Sequence, residues 1–222
     1  MQSIKPKWIK RIFVLILVIF ISYILYLNSL VKSQFSSEIE PKDNVVQIQN
    51  LIDDYPKELI NMLLLVEDQS FFDHIGVDFK EIFRVLYGYL FEEKELRGAS
   101  TITQQLIKNT LLSRDKTLAR KTDEALMAIL MEMSYDKNFI LERYMNTVYL
   151  AQQGSTAIHG FASGSLHYFD KDVESLNLEE MATLVALLKG PSYYNPVNSP
   201  DRLSRRVEMI LSMHKNYKKI IQ

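Results

Sequence analysis

Gly98-Ala99-Ser100-Thr101-Ile102-Thr103-Gln104-Gln105-Leu106-Ile107-Lys108-Asn109 opens a helix and loads its first turns with hydroxyls, amides and a cation. Thr101 and Gln104 have the spacing of a capping box. Ile102, Leu106 and Ile107 supply an apolar face. Helical periodicity extends outward in both directions. Upstream, Pro56–Val66 starts with a proline suited to a helix N-terminus, and Phe79–Phe91 forms a second apolar run. Downstream, Leu118, Thr122, Ala125, Leu126, Ile129, Leu130 and Met133 read as one apolar stripe, and Ile140, Leu141, Tyr144, Met145 and Val148 as another. Asn177 and Glu180 predict a further cap, with a stop at Lys189-Gly190-Pro191. Ser199-Pro200 opens the last helix. No strand alternation persists, and residues 151–165 read as the largest irregular region. The fold class is mainly α.

The chain has 222 residues, 47% hydrophobic and 24% charged, enough for a packed core. Its net charge of −1 conceals an asymmetry. Residues 1–37 carry five cations and no acids, leaving 21 cations against 27 acids beyond them, a net of −6. A mildly acidic domain is poorly suited to nucleic acid, so none is expected as a partner. Without cysteine, disulfides, thiolate catalysis and cysteine-bound zinc are excluded. The four histidines lack i,i+4 spacing, so no metal site is expected.

Residues 12–31 form a twenty-residue stretch without charge, close to the ~20 residues that cross a bilayer. Lys5, Lys7, Lys10 and Arg11 precede it, and only Lys32 follows closely. The cation bias predicts an N-terminus inside and the bulk of the chain outside. No small-x-small cleavage site follows the run, which therefore reads as an anchor and not as a cleaved signal. The expected organisation is a tail at 1–11, an anchor at 12–31, a linker at 32–50 and one domain at 51–222.

Two carboxylates stand out. Glu67 ends an apolar helix, Met62-Leu63-Leu64-Leu65-Val66, where partial desolvation suits a general base, although position alone favours a surface helix-end glutamate. Glu124 shares a helix face with Arg120 and Lys121, opposite the expected stripe. That triad reads either as a solvated salt-bridge face or as a carboxylate held ionised beside an anion site. The start of the 102–109 helix is a candidate anion site through its free N–H groups.

Taken together, these segments resemble the peptidoglycan glycosyltransferases, glycosyltransferase family 51, as found in bifunctional penicillin-binding proteins and monofunctional transglycosylases. Glu67-Asp68-Gln69-Ser70-Phe71-Phe72-Asp73-His74-Ile75-Gly76 looks like the first family motif and residues 98–109 like the second. Arg120-Lys121-x-x-Glu124 resembles the third, residues 140–146 the fourth, and Ala186–Pro196 with Arg205-Arg206 the fifth. Residues 151–160 are less rich in glycine and aromatics than is usual, and Asp170 stands where Phe-Gly-Lys is common.

The resemblance implies a lysozyme-like α fold whose apolar lobe dips into the membrane, with Phe83, Leu86, Tyr87, Tyr89, Leu90 and Phe91 as lobe residues. It implies Glu67 as the catalytic base and Glu124 as a second essential carboxylate. Ser100, Thr101, Gln105, Lys108, Asn109, Arg120 and Lys121 are placed around sugar and pyrophosphate. The implied substrates are lipid II and a lipid-linked glycan. A divalent cation, magnesium or manganese, at the pyrophosphate is the one cofactor left open. Cell-wall synthesis or division proteins are the implied partners, at a bacterial cytoplasmic membrane. A weakly catalytic anchored scaffold and a lytic transglycosylase are the alternative functions.

Overall fold

A helix apolar on every side must be buried on every side, and Lys57–Glu67 meets that condition. In the computed structural model, which describes residues 7–36, 45–92, 98–113 and 115–217, it is the central element. Every residue from Leu59 to Leu65 is buried. In chain order the helices are α1 (Lys7–Phe35), α2 (Lys57–Glu67), α3 (Phe79–Phe91), α4 (Ile102–Leu111), α5 (Leu118–Ser134), α6 (Lys137–Thr147), α7 (Phe161–Phe169), α8 (Leu178–Leu187) and α9 (Pro200–Asn216). α2 packs on α8 and α9, while α4 lies between α5 and α6. The core draws on all of them except α3, with Leu106, Met127, Met131, Tyr144 and Leu184 almost wholly enclosed. The mainly α class holds, and the expected capping boxes at Thr101 and Asn177 are both formed.

Four expectations are corrected. Residues 151–165 are not irregular. They hold β2 (Tyr149–Gln153), β3 (Thr156–His159) and the start of α7. With β1 (Val45–Gln47) the strands make a small sheet in the order β1-β3-β2, β1 parallel and β2 antiparallel to β3. Strands this short offer too few alternations to register as a period.

The α5 stripe is misplaced as well. Leu118 and Met133 are exposed, and the buried face is Glu124, Met127, Ala128 and Met131. α5 is covered from two directions, by α1 and by α4. Leu126 and Leu130, from the expected stripe, are partly buried against the core.

The third correction concerns α1, which does not stop at residue 31. It runs to Phe35, and Leu27, Val31 and Phe35 are built into the domain core. Phe35 meets Tyr135 edge to face at 6.4 Å. Tyr23 donates its hydroxyl to Asp123 Oδ1 at 2.5 Å. Residues 32–35, expected as linker, are therefore helix. Of the other expected segments, 1–6 and 37–44 lie outside the described residues. From Trp8 to Tyr26 the large apolar side chains of α1 are exposed except the half-buried Ile24, and the helix is long and apolar enough to cross a membrane.

The fourth is the start of α4. Its Ile102 N–H is taken by Asp68 Oδ2 at 2.9 Å and its Gln104 N–H by Thr101 Oγ1 at 3.1 Å. These donors are spent on the fold, so they do not form an open anion cradle.

Candidate active site

Glu67 is the last residue of α2, half-buried where the core opens into a cleft of about 640 Å³. Asp68, Asp78, Arg84, Tyr87, Ser100, Thr101, Met213 and Tyr217 share its lining. One wall is α3, another the residues leading into α4, and a third the end of α9. The chain turns away at Asp68, whose carboxylate is nearly sealed off. It accepts from the Ile102 N–H and from His74 Nε2, at 3.0 Å to Oδ2. His74 Nδ1 accepts from the Gly76 N–H at 3.1 Å, so the ring's proton sits on Nε2. Asp68 thus pins the start of α4 against the end of α2.

Gly76 makes this loop possible. Its φ is +95°, and a Cβ there would lie 2.5 Å from the Ala128 carbonyl oxygen of α5. Its own carbonyl accepts from Thr101 Oγ1 at 2.6 Å. The Thr101 hydroxyl is therefore committed within the fold, as donor to Gly76 and acceptor from Gln104.

The two candidate carboxylates are gripped by neighbouring glutamines. Gln105 Nε2 donates to Glu67 Oε2 at 3.0 Å, and Gln104 Nε2 donates to Glu124 Oε1 at 3.3 Å. Successive helix residues diverge by about 100°, so one turn of α4 serves both. Glu124 is 1% exposed. Arg120 Nη1 bonds its Oε2 at 2.8 Å and Lys121 Nζ bonds its Oε1. A solvated salt-bridge face is thus ruled out for Glu124, and burial of a charge demands such partners. Two cations on one carboxylate leave one unit of positive charge in excess. Lys121 carries it toward the cleft, donating to Ser100 Oγ at 2.7 Å.

Of the sequence-expected residues, Glu67, Ser100 and Thr101 line the cleft. Gln105, Arg120, Lys121 and Glu124 connect to it through the contacts above. Lys108 and Asn109 lie exposed further along α4 and are not on its wall. Sequence reading assigned no role to Asp68, His74 or Tyr144 in holding the site. Tyr144 looked like one more apolar position of α6, yet its hydroxyl donates to Gln105 Oε1 at 3.1 Å. Glu132 also escaped notice. It accepts from Thr103 Oγ1 at 2.6 Å and pairs with Lys137 at 2.5 Å, tying α4 to α5 and α6.

The site thus joins a carboxylate on the cleft wall, through neighbouring glutamines of α4, to a buried carboxylate clamped by two cations. The chain belongs to the transglycosylase family, whose model matches residues 33–215. It is 40% identical over 178 residues to penicillin-binding protein 1B of Haemophilus influenzae, covering 80% of this chain and 23% of that protein. It is 42% identical over 159 residues to penicillin-binding protein 1B of Escherichia coli, covering 72% and 19%. Penicillin-binding protein 1A of Neisseria lactamica is 44% identical over 161 residues, covering 72% and 20%. The chain thus spans about a fifth of the length of the curated relatives it matches. Membership and the apolar α1 together fit a membrane-anchored protein.

Proposed function

We propose that this domain polymerises peptidoglycan glycan chains, transferring a lipid-linked glycan onto lipid II. The observation that carries the reading is the paired site on α4. A carboxylate faces the cleft, and a buried carboxylate held by the adjacent glutamine holds an excess of positive charge. In this reading Glu67 accepts the proton of the acceptor sugar's 4-hydroxyl as the oxygen attacks C1 of the donor with inversion. The C1–O bond to phosphate breaks, and undecaprenyl pyrophosphate leaves with the bonding pair. Arg120 and Lys121 stabilise that charge and Ser100 positions it. Glu124 holds the two cations in place and transfers no proton, since both its oxygens are engaged.

The same contacts bear on a metal. The groups beside Ser100 are cationic, and the carboxylate among them is saturated, so the residues present do not fit a protein-held magnesium or manganese ion there. No step is routed through one.

We further place α1 across the bacterial cytoplasmic membrane, N-terminus inside and domain outside. Lys10 and Arg11 on the N-terminal side support that orientation, while Lys5 lies outside the described residues. The six lobe residues expected on α3 are all exposed, from 48% for Leu86 and Tyr87 to 71% for Phe83 and Phe91. An unpartnered apolar face of that kind suits a lipid surface.

The test is the full chain with labelled lipid II, then with finished peptidoglycan. Polymer from lipid II is expected, and Glu67→Gln is expected to reduce it by roughly 10²–10⁴-fold with folding intact. Soluble fragments from finished peptidoglycan would favour a lytic enzyme, and no product from either substrate would favour a scaffold. A Glu67→Gln protein retaining more than about a tenth of the rate would remove Glu67 as the base.

A further inference from the structure

Tyr144 is enclosed on all sides, and its phenol donates to Gln105 Oε1 at 3.1 Å. The other end of the same amide, Nε2, reaches Glu67 at 3.0 Å. A primary amide has an acceptor end and a donor end, and Glu67 as a base must be an acceptor. If the amide were turned over, its oxygen would face a carboxylate oxygen. The carboxylate, an acceptor only, turns the NH₂ group toward itself, and the Tyr144 hydroxyl donates to the amide oxygen, a second tether that holds that end toward α6. We propose that Tyr144 is a positioning residue for the reaction: through Gln105 it locks the orientation in which Glu67 can take the acceptor's proton.

The surroundings keep the donor in place. Burial, and then the charges of Glu67 and Asp68, hold the Tyr144 phenol well above its ordinary titration range, so it stays protonated wherever the enzyme works. Tyr144 itself is not on the cleft wall. It touches no substrate in this arrangement, and its effect belongs in turnover and not in binding. The inference rests on Glu67 being the base.

The experiment is a double-mutant cycle on the full chain, with lipid II as substrate. Tyr144→Phe removes one oxygen and keeps the ring. It is expected to lower kcat about tenfold, the scale of one lost hydrogen bond, with KM unchanged within about twofold. Gln105→Met at its half-buried position removes the link itself and is expected to lower kcat at least as much. In that background Tyr144→Phe is expected to change kcat by less than about twofold, because its partner is gone. If Tyr144→Phe fails to fold, Tyr144→Met with and without Gln105→Met closes the same cycle, and the two losses must again fall well short of multiplying. Wild-type kcat in Tyr144→Phe, or full multiplication in the cycle, would overturn the proposal while leaving Glu67 as the base. A Glu67→Gln enzyme that still turns over freely would overturn both.

Discussion

Gln104 and Gln105 adjoin in sequence but serve different carboxylates, and that divergence divides the labour of the site. On the Glu124 side, charge balance rules. Glu124 is 1% exposed, so each cation supports the fold as well as serving the leaving group in the proposed reaction. Removing Arg120, whose side chain is only 18% exposed, leaves a buried charge short of a partner. Arg120→Ala should therefore cost about 1–3 kcal/mol of stability. Lys121→Ala should cost less, since the Lys121 side chain is 45% exposed and solvent screens it. Both should lower turnover by about 10²–10³-fold. Adding Glu124→Gln to Arg120→Ala should recover melting temperature without recovering turnover. Thermal unfolding beside the polymerisation assay separates the two effects, and recovery of both together would reduce the clamp to a structural device.

At the level of elements, legibility followed from how a side chain's partners are arranged in the chain. Caps are local, so Thr101 with Gln104 and Asn177 with Glu180 were readable. α3 was readable from Phe79 to Phe91 because nothing competes for its apolar face. α5 was not, because its burial is set by two neighbours at once, α4 just before it and the sequence-distant α1. Glu124 could be buried only because Arg120, Lys121 and Gln104 converge on it. Tyr144 was equally opaque, since its hydroxyl acts through a residue 39 positions away. α1 carries the most consequential surprise. Leu27 and Val31 are core residues, each contributing about 1.5–3 kcal/mol by burial. A chain cut to begin at residue 32 should lose much of a stability that totals only about 5–15 kcal/mol. One beginning at residue 24 should retain it. Melting curves of the two in the same detergent check this, and equal curves would mean that the docked end of α1 contributes nothing.

For the molecule as a whole, the outer part of α1 and the face of α3 expose long runs of apolar side chains among the described residues. Serine at Phe83, Leu90 and Phe91 should reduce flotation of the residue-24 protein with liposomes while leaving its melting temperature within about a degree or two, because exposed positions contribute little to folding. Unchanged flotation would mean that α3 does not meet lipid.

The docking of α1 onto α5 has a mechanical meaning. A flexible stalk would let the catalytic end sway, and a substrate confined to a fluid sheet would have to wait for the right tilt. Here the stem is seated by Leu27, Val31, Phe35 and the Tyr23–Asp123 bond on the helix that carries Arg120 and Lys121. It behaves as a mast stepped into the hull. Height and heading are set together, since each helix residue advances about 1.5 Å and turns about 100°. For the proposed lipid-linked substrate, this means meeting the cleft at one elevation, with a search reduced to two dimensions.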